Sequence, residues 1–121
     1  MLAATLLAAA CGQRPAAAPE VVLTWTLSPR APAVGPAVLS LALADRRDGR
    51  PLAGARVRVE ADMSHPGMAP LLASVRELAP GVYEAALRFT MAGDWILLVD
   101  ARLRDGRAWR RELWVRGVRP A

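Results

Sequence analysis

The sequence predicts an all-β fold: an antiparallel β-sandwich of immunoglobulin-like shape with about seven strands. Three observations lead there. From Val21 onward apolar residues recur at every second position, the period of a half-buried strand. Breaks rich in Pro, Gly and Asp interrupt the pattern about every ten residues, the spacing of a sandwich of short strands. No stretch carries the 3.6-residue period of an amphipathic helix. The 121-residue chain holds one domain's worth of sequence, and such a chain buries about two-thirds of its unfolded surface without staples.

The strands follow in order. Val21–Ser28 places Val21, Leu23, Trp25 and Leu27 on one face, and Pro29, Pro32, Gly35 and Pro36 then break it. Ala37–Asp45 turns Leu39, Leu41 and Leu43 inward, before the polar loop Arg46–Gly54. Ala55–Met63 alternates cleanly, with Val57, Val59, Ala61 and Met63 opposite Arg56, Arg58, Glu60 and Asp62. After the loop Ser64–Pro70, Leu71–Leu78 is a weak fourth strand. Pro80-Gly81 turns the chain into Val82–Met91, with Tyr83, Ala85, Leu87, Phe89 and Met91 on the core side. Ala92-Gly93 leads to Asp94–Arg104, where Trp95, Leu97, Val99, Ala101 and Leu103 are in phase. Asp105-Gly106 signals a two-residue hairpin. In the closing strand Arg107–Arg116, Arg111 falls in phase with Trp109, Leu113 and Val115, which marks an edge strand or a bulge. The Cys…Trp…Cys spacing of true immunoglobulin domains is absent.

Before the sandwich lie two short segments. Residues 1–10 contain an apolar run, Leu2–Ala10, that ends in Ala-Ala-Ala directly before Cys11, the chain's one cysteine. This is the pattern of a lipoprotein-type signal. The run is too short to cross about 30 Å of hydrocarbon as a helix, and the positive n-region of a complete leader is missing. Residues 11–20 are Pro/Ala-rich and predict a tether, which leaves 21–121 as the folded domain. Acylation at Cys11 would attach two or more chains, enough for stable anchoring. The expected address is the bacterial envelope, on its periplasmic or extracellular face, with the membrane as a partner through that anchor.

The formal net charge is +5. Up to residue 101 nine Arg balance nine acids, so the excess lies in the last twenty residues, with seven Arg against Asp105 and Glu112. Trp109 and Trp114 sit among these arginines. Alternation with Leu and Val favours a solvated strand face over a nucleic-acid surface, with contact to anionic lipid as a lesser alternative.

Catalytic signals are thin, and the chain is expected not to be an enzyme. His65 is the only histidine, and Asp62, Ser64 and His65 are neighbours along one strand end rather than a convergent triad. Glu60 and Asp62, flanked by Arg56 and Arg58, suit a solvated face. No phosphate loop and no zinc spacing is present. One constellation stands apart: Met63-Ser64-His65-Pro66-Gly67-Met68. His-Pro-Gly-Met suits a type II turn, which would set His65 beside Met68, with Met63 within reach at the strand's end. Two thioethers and an imidazole form a soft, neutral donor set suited to Cu(I). Against it stands plain packing: Met63 is in phase with Val57, Val59 and Ala61. Met91 is expected to pack in the core beside Phe89 and Leu87.

These residues resemble a known family. Ala61-Asp62-Met63-Ser64-His65-Pro66-Gly67-Met68, then Pro80-Gly81-Val82-Tyr83, then Phe89-Thr90-Met91-Ala92-Gly93-Asp94-Trp95 are similar to the YtkA-like domain, which shares features with FixH-type proteins. The resemblance covers about residues 35–116. It departs from the family pattern at Ser64, where a Pro is usual, and in having a single His. It implies an immunoglobulin-like sandwich, export and frequent membrane anchoring. Its FixH relatives imply copper supply to terminal oxidases, with Met63, His65 and Met68 as the copper ligands and an envelope or oxidase-assembly protein as partner. The rival expectation is a metal-free interaction module that presents an edge strand or the basic C-terminal hairpin.

Overall fold

The computed structural model describes residues 20–65 and 67–121. They form eight strands: β1 (Val21–Ser28), β2 (Gly35–Asp45), β3 (Arg56–Met63), β4 (Leu71–Leu72), β5 (Ser74–Ala79), β6 (Val82–Phe89), β7 (Gly93–Arg102) and β8 (Ala108–Val118). One sheet has the order β1-β2-β6-β5 and the other β4-β3-β7-β8, with every pairing antiparallel. This is the strand order of a constant-type immunoglobulin sandwich with one additional short strand, β4. The described residues contain no helix. Cys11 and the signal-like and tether segments up to residue 19 lie outside the described residues.

The eighth strand comes from splitting the predicted fourth. Leu71 and Leu72 pair with β3, and two residues later Ser74 pairs with β6 in the opposite sheet. Ala73 makes the crossing, its N–H donating to Val59 O at 2.9 Å. A small side chain there lets the backbone pass between layers.

The inward positions follow the alternation. Leu39, Leu41, Val59, Ala61, Phe89, Trp95, Leu97 and Val99 are essentially sealed from solvent. Phe89 and Trp95 meet edge to face, with ring centroids 5.4 Å apart. No charged or polar residue is buried among the described residues. Trp25 departs from expectation. It is 39% exposed, because β1 is an edge strand and its inner face opens at the seam beside β8.

Two turns differ from the sequence reading. Asp105-Gly106 belongs to a three-residue loop rather than a two-residue hairpin. Gly106 N–H donates to Leu103 O at 2.9 Å, Leu103 N–H donates to Arg107 O at 2.8 Å, and Gly106 has φ +90°. A two-residue turn of the Asp-Gly kind needs positive φ at both central residues, and no described non-glycine residue adopts it. Of the two expectations for the irregular phase at Arg111, the edge strand holds and the bulge does not: pairing is regular through Val99↔Arg111, and β8 bulges only near its end. The bulge lies at Arg116–Gly117, where the pairing slips between Gly93↔Val118 and Trp95↔Val115.

The sandwich has two ends. At the foot, where β1 begins, lie the β2–β3 loop, the β5–β6 turn and the β7–β8 hairpin. At the opposite end, the rim, lie the β1–β2, β3–β4 and β6–β7 connections and the end of β8.

Candidate functional site

The rim collects the soft donors. Met63 ends β3, Met68 lies in the β3–β4 loop, and Met91 lies in the β6–β7 turn. These are all the methionines except Met1, and the single histidine joins them at position 65. Ser64 N–H donates to Asp94 O at 3.2 Å, which ties the β3–β4 loop to the start of β7. His65 is therefore one residue, and Met91 three residues, from a shared backbone contact.

The four side chains differ in access. Met63 is 5% exposed and belongs to the core, with its Cε 3.4 Å from the position a Cβ on Gly93 would take. Packing thus claims this thioether, as its phase with Val59 and Ala61 allowed. Met68 is half-buried and rests against the core, while His65 is exposed. Gly67 between them has φ +119°, on the positive side that the turn required. Pro66 lies outside the described residues.

Met91 corrects the sequence reading. It does not pack beside Phe89 but stands 46% exposed. Strand β6 ends at Phe89, so the period-two phase no longer governs position 91. The Trp95 indole N–H donates to Met91 O at 2.9 Å, so a fully buried tryptophan fixes the backbone that presents this thioether. The signal that could have revealed it is Ala92-Gly93: Gly93 has φ +125°, and the turn it makes begins before Met91.

Harder donors do not converge. Among the described residues no three of His, Cys, Asp and Glu form a group able to hold a metal ion. Asp94 is engaged structurally, accepting Gly117 N–H at 2.8 Å and pairing with Arg116 at 3.9 Å. Glu60, which the sequence placed on a charged face, pairs with Arg58 at 2.9 Å.

A second feature lies beside the rim. A groove of ≈ 360 Å³ runs between the edges of β1 and β8, and Trp25, Leu27, Arg30, Pro32, Trp114 and Arg116 line it. Trp114 is 44% exposed, with the Arg116 guanidinium 4.8 Å from its ring centre. Trp109, the other tryptophan of the arginine-rich segment, packs in the core instead.

The foot is built differently. Tyr83 is 2% exposed, and its hydroxyl donates to Leu52 O at 2.7 Å and accepts from Ala55 N–H at 3.0 Å. Burial pushes this phenol's pKa up. The Glu77 carboxylate accepts Gly54 N–H at 3.0 Å and Gly81 N–H at 3.2 Å. The Gly54 bond foremost holds that carboxyl below the usual carboxylate range. Gly81 has φ +74°, and a Cβ there would lie 2.7 Å from Pro51 Cβ. These contacts staple the β2–β3 loop to the β5–β6 turn.

Fold and site together define a small immunoglobulin-like sandwich with its described thioethers gathered at one end. The profile of the YtkA-like family matches residues 18–100, and the chain belongs to that family. Strand β8, which completes the second sheet, lies beyond the matched residues. Among solved structures, a DUF4426 family protein from Pseudomonas aeruginosa PAO1 is similar in fold. Its TM-score is 0.59 at 8% identity, over 82% of this chain and 91% of that one. No curated protein matches.

Proposed function

We propose that the protein is a non-catalytic envelope domain, lipid-anchored at Cys11, that takes up Cu(I) at its rim and hands it to another envelope or oxidase-assembly protein. Its accessible donors are His65, Met68 and Met91. Met63 would join them only by leaving the core, at a cost of about 1.5–3 kcal/mol for exposing a methionine. The supporting observation is the gathering itself: every described thioether and the only imidazole lie at one end, across the Ser64–Asp94 contact. Neutral sulfur and nitrogen donors suit Cu(I) and suit Mg²⁺ or Ca²⁺ poorly. Exposed donors on loops favour release to a partner that can compete for an open position.

Titration of the full chain with Cu(I) against a competing chelator tests this. Saturable binding of one ion, lost in a His65→Ala/Met68→Ala/Met91→Ala variant, is the expected result. Binding no tighter in the parent than in that variant eliminates the reading. Mass spectrometry of the native protein separately checks the acyl group at Cys11.

The groove between β1 and β8 favours a second reading, a metal-free interaction domain. Exposed tryptophans flanked by arginines are the residue types that dominate protein interfaces. A photo-cross-linker at position 114 would then trap a protein partner, and Trp25→Ala would abolish the cross-link. In the copper reading Trp25→Ala leaves Cu(I) affinity unchanged.

A further inference from the structure

We infer that the foot of the sandwich is a docking surface for anionic lipid head groups, so that the domain stands on a membrane with its rim pointing away. Two independent features of the structure meet at this end. The first is charge. Arg46 and Arg50 in the β2–β3 loop, Arg104 and Arg107 in the hairpin, and Arg56 opposite Arg102 on the adjoining sheet all lie here. Of the acids at this end, Asp45 pairs with Arg47, Asp48 with Arg50 and Asp105 with Arg107, while Glu77 accepts backbone amides within the field of Arg104 and Glu20 starts the fold beside Arg46, so seven arginines stand against five carboxylates. Arg46, Arg56 and Arg104 form no ion pair among the described residues. Arg56 and Arg102 face each other directly across β3 and β7, an arrangement of like charges that disfavours the isolated sheet and that an anionic surface would relieve.

The second feature is where the chain begins its fold. Arg46 N–H donates to Glu20 O at 3.0 Å, so the polypeptide leading back to Cys11 departs beside this same loop. Eight residues separate Cys11 from Glu20, a reach of at most about 30 Å over nine steps. This part of the argument rests on the anchored reading above, because a short link to a lipid keeps the foot near the bilayer. Apolar groups suited to the interfacial layer accompany the arginines. Leu78 is 51% exposed, and a cleft of ≈ 370 Å³ opens between Pro51, Leu52, Ala53 and Leu103 with Arg104 and Asp105 at its edge. Arginine stems cover such surface while their guanidinium groups reach phosphate.

Co-sedimentation with vesicles tests the inference, using the full chain carrying Cys11→Ser so that no acyl group contributes. The protein should sediment with equimolar phosphatidylglycerol and phosphatidylcholine vesicles, not with phosphatidylcholine alone, and should be released by 0.5 M NaCl (about a 4 Å screening length). Each basic residue near such a surface contributes about fivefold to partitioning. Arg46→Glu/Arg56→Glu/Arg104→Glu should therefore lower the partition coefficient by about a hundredfold or more. The milder triple glutamine variant at the same positions should show a smaller loss, which guards against misfolding as the cause. Arg30→Glu/Arg88→Glu/Arg119→Glu makes the same charge change at the rim and should retain most of the binding. Equal losses in the two glutamate variants, no sedimentation with anionic vesicles, or undiminished binding to phosphatidylcholine alone would overturn the inference. Failure of acylation at Cys11 in the native protein would sink the anchor and leave this result standing.

Discussion

The two ends of the sandwich solve different problems with the same strands. At the foot, loops are held by two side chains that each bridge distant backbone groups. The Tyr83 hydroxyl joins Leu52 to Ala55, Glu77 joins Gly54 to Gly81, and Gly81 lies too close to Pro51 to carry a side chain. At the rim, the β3–β4 loop is tied to β7 by the Ser64–Asp94 bond, and the β6–β7 turn rests on one indole. The foot, stapled by these two side chains, carries the start of the fold, whereas the rim carries the methionines and the histidine and is joined by Val34 N–H to Arg119 O at 2.8 Å, Arg119 N–H to Pro32 O at 3.0 Å and Gly117 N–H to the Asp94 carboxylate at 2.8 Å.

The contrast can be broken most severely at Trp95. Its indole fills the core against Phe89 and fixes Met91 from beneath. Trp95→Ala should cost about 3–5 kcal/mol, read by denaturant unfolding, and should weaken Cu(I) binding in whatever fraction remains folded. Tyr83→Phe is next. It leaves Ala55 N–H and Leu52 C=O without their partner and should cost about 1–3 kcal/mol. Hydrogen exchange should rise in the β2–β3 loop and stay unchanged at the rim. Equal loosening of both ends would show that the staple is not local.

Acid sharpens the same distinction. The Glu77 carboxyl titrates below its usual range in the folded protein because backbone amides bind its charged form, foremost that of Gly54. The unfolded chain binds the proton first, so this contribution is complete above the ordinary glutamate pKa of about 4.3 and fades as pH falls through the lower folded value. Glu77→Gln should therefore lower Tm at pH 7 and match the parent in strong acid, as followed by circular dichroism. The smallest structural effect belongs to Met91→Ala. An exposed side chain in a turn should change stability by no more than about 0.5 kcal/mol, while Cu(I) affinity falls at least about tenfold.

Much of this architecture was legible because burial in a sandwich repeats every two residues. The bounds of β1 and the inward sets of β2, β3 and β7 follow directly from where Leu, Val and Trp stand. That signal says which face a residue occupies but not where a strand stops, and so Met91 was assigned to the core two residues after β6 had ended. Nor does it say which sheet a strand joins. Leu71–Leu78 looks like one weak strand, yet it serves two sheets in turn, a fact set by pairing partners distant in sequence. Trp25 has the inward phase and is nonetheless exposed, because only the assembled fold reveals that β1 is an edge. At the candidate site, the structure has His65 exposed and Met68 half-buried against the core in the β3–β4 loop, Met63 goes to packing, and Met91 emerges from topology alone. The placement of the foot arginines was equally hidden, since residues spread from position 46 to 107 converge only through antiparallel pairing.

The central claim is that the rim thioethers bind Cu(I). Methyl-¹³C methionine labelling with NMR during Cu(I) addition observes each thioether separately. The account predicts saturable shifts of the Met68 and Met91 methyl signals at one equivalent, with Met63 moving less and Met1 not at all. Unmoved signals from both Met68 and Met91, or a shift confined to Met1, would contradict it.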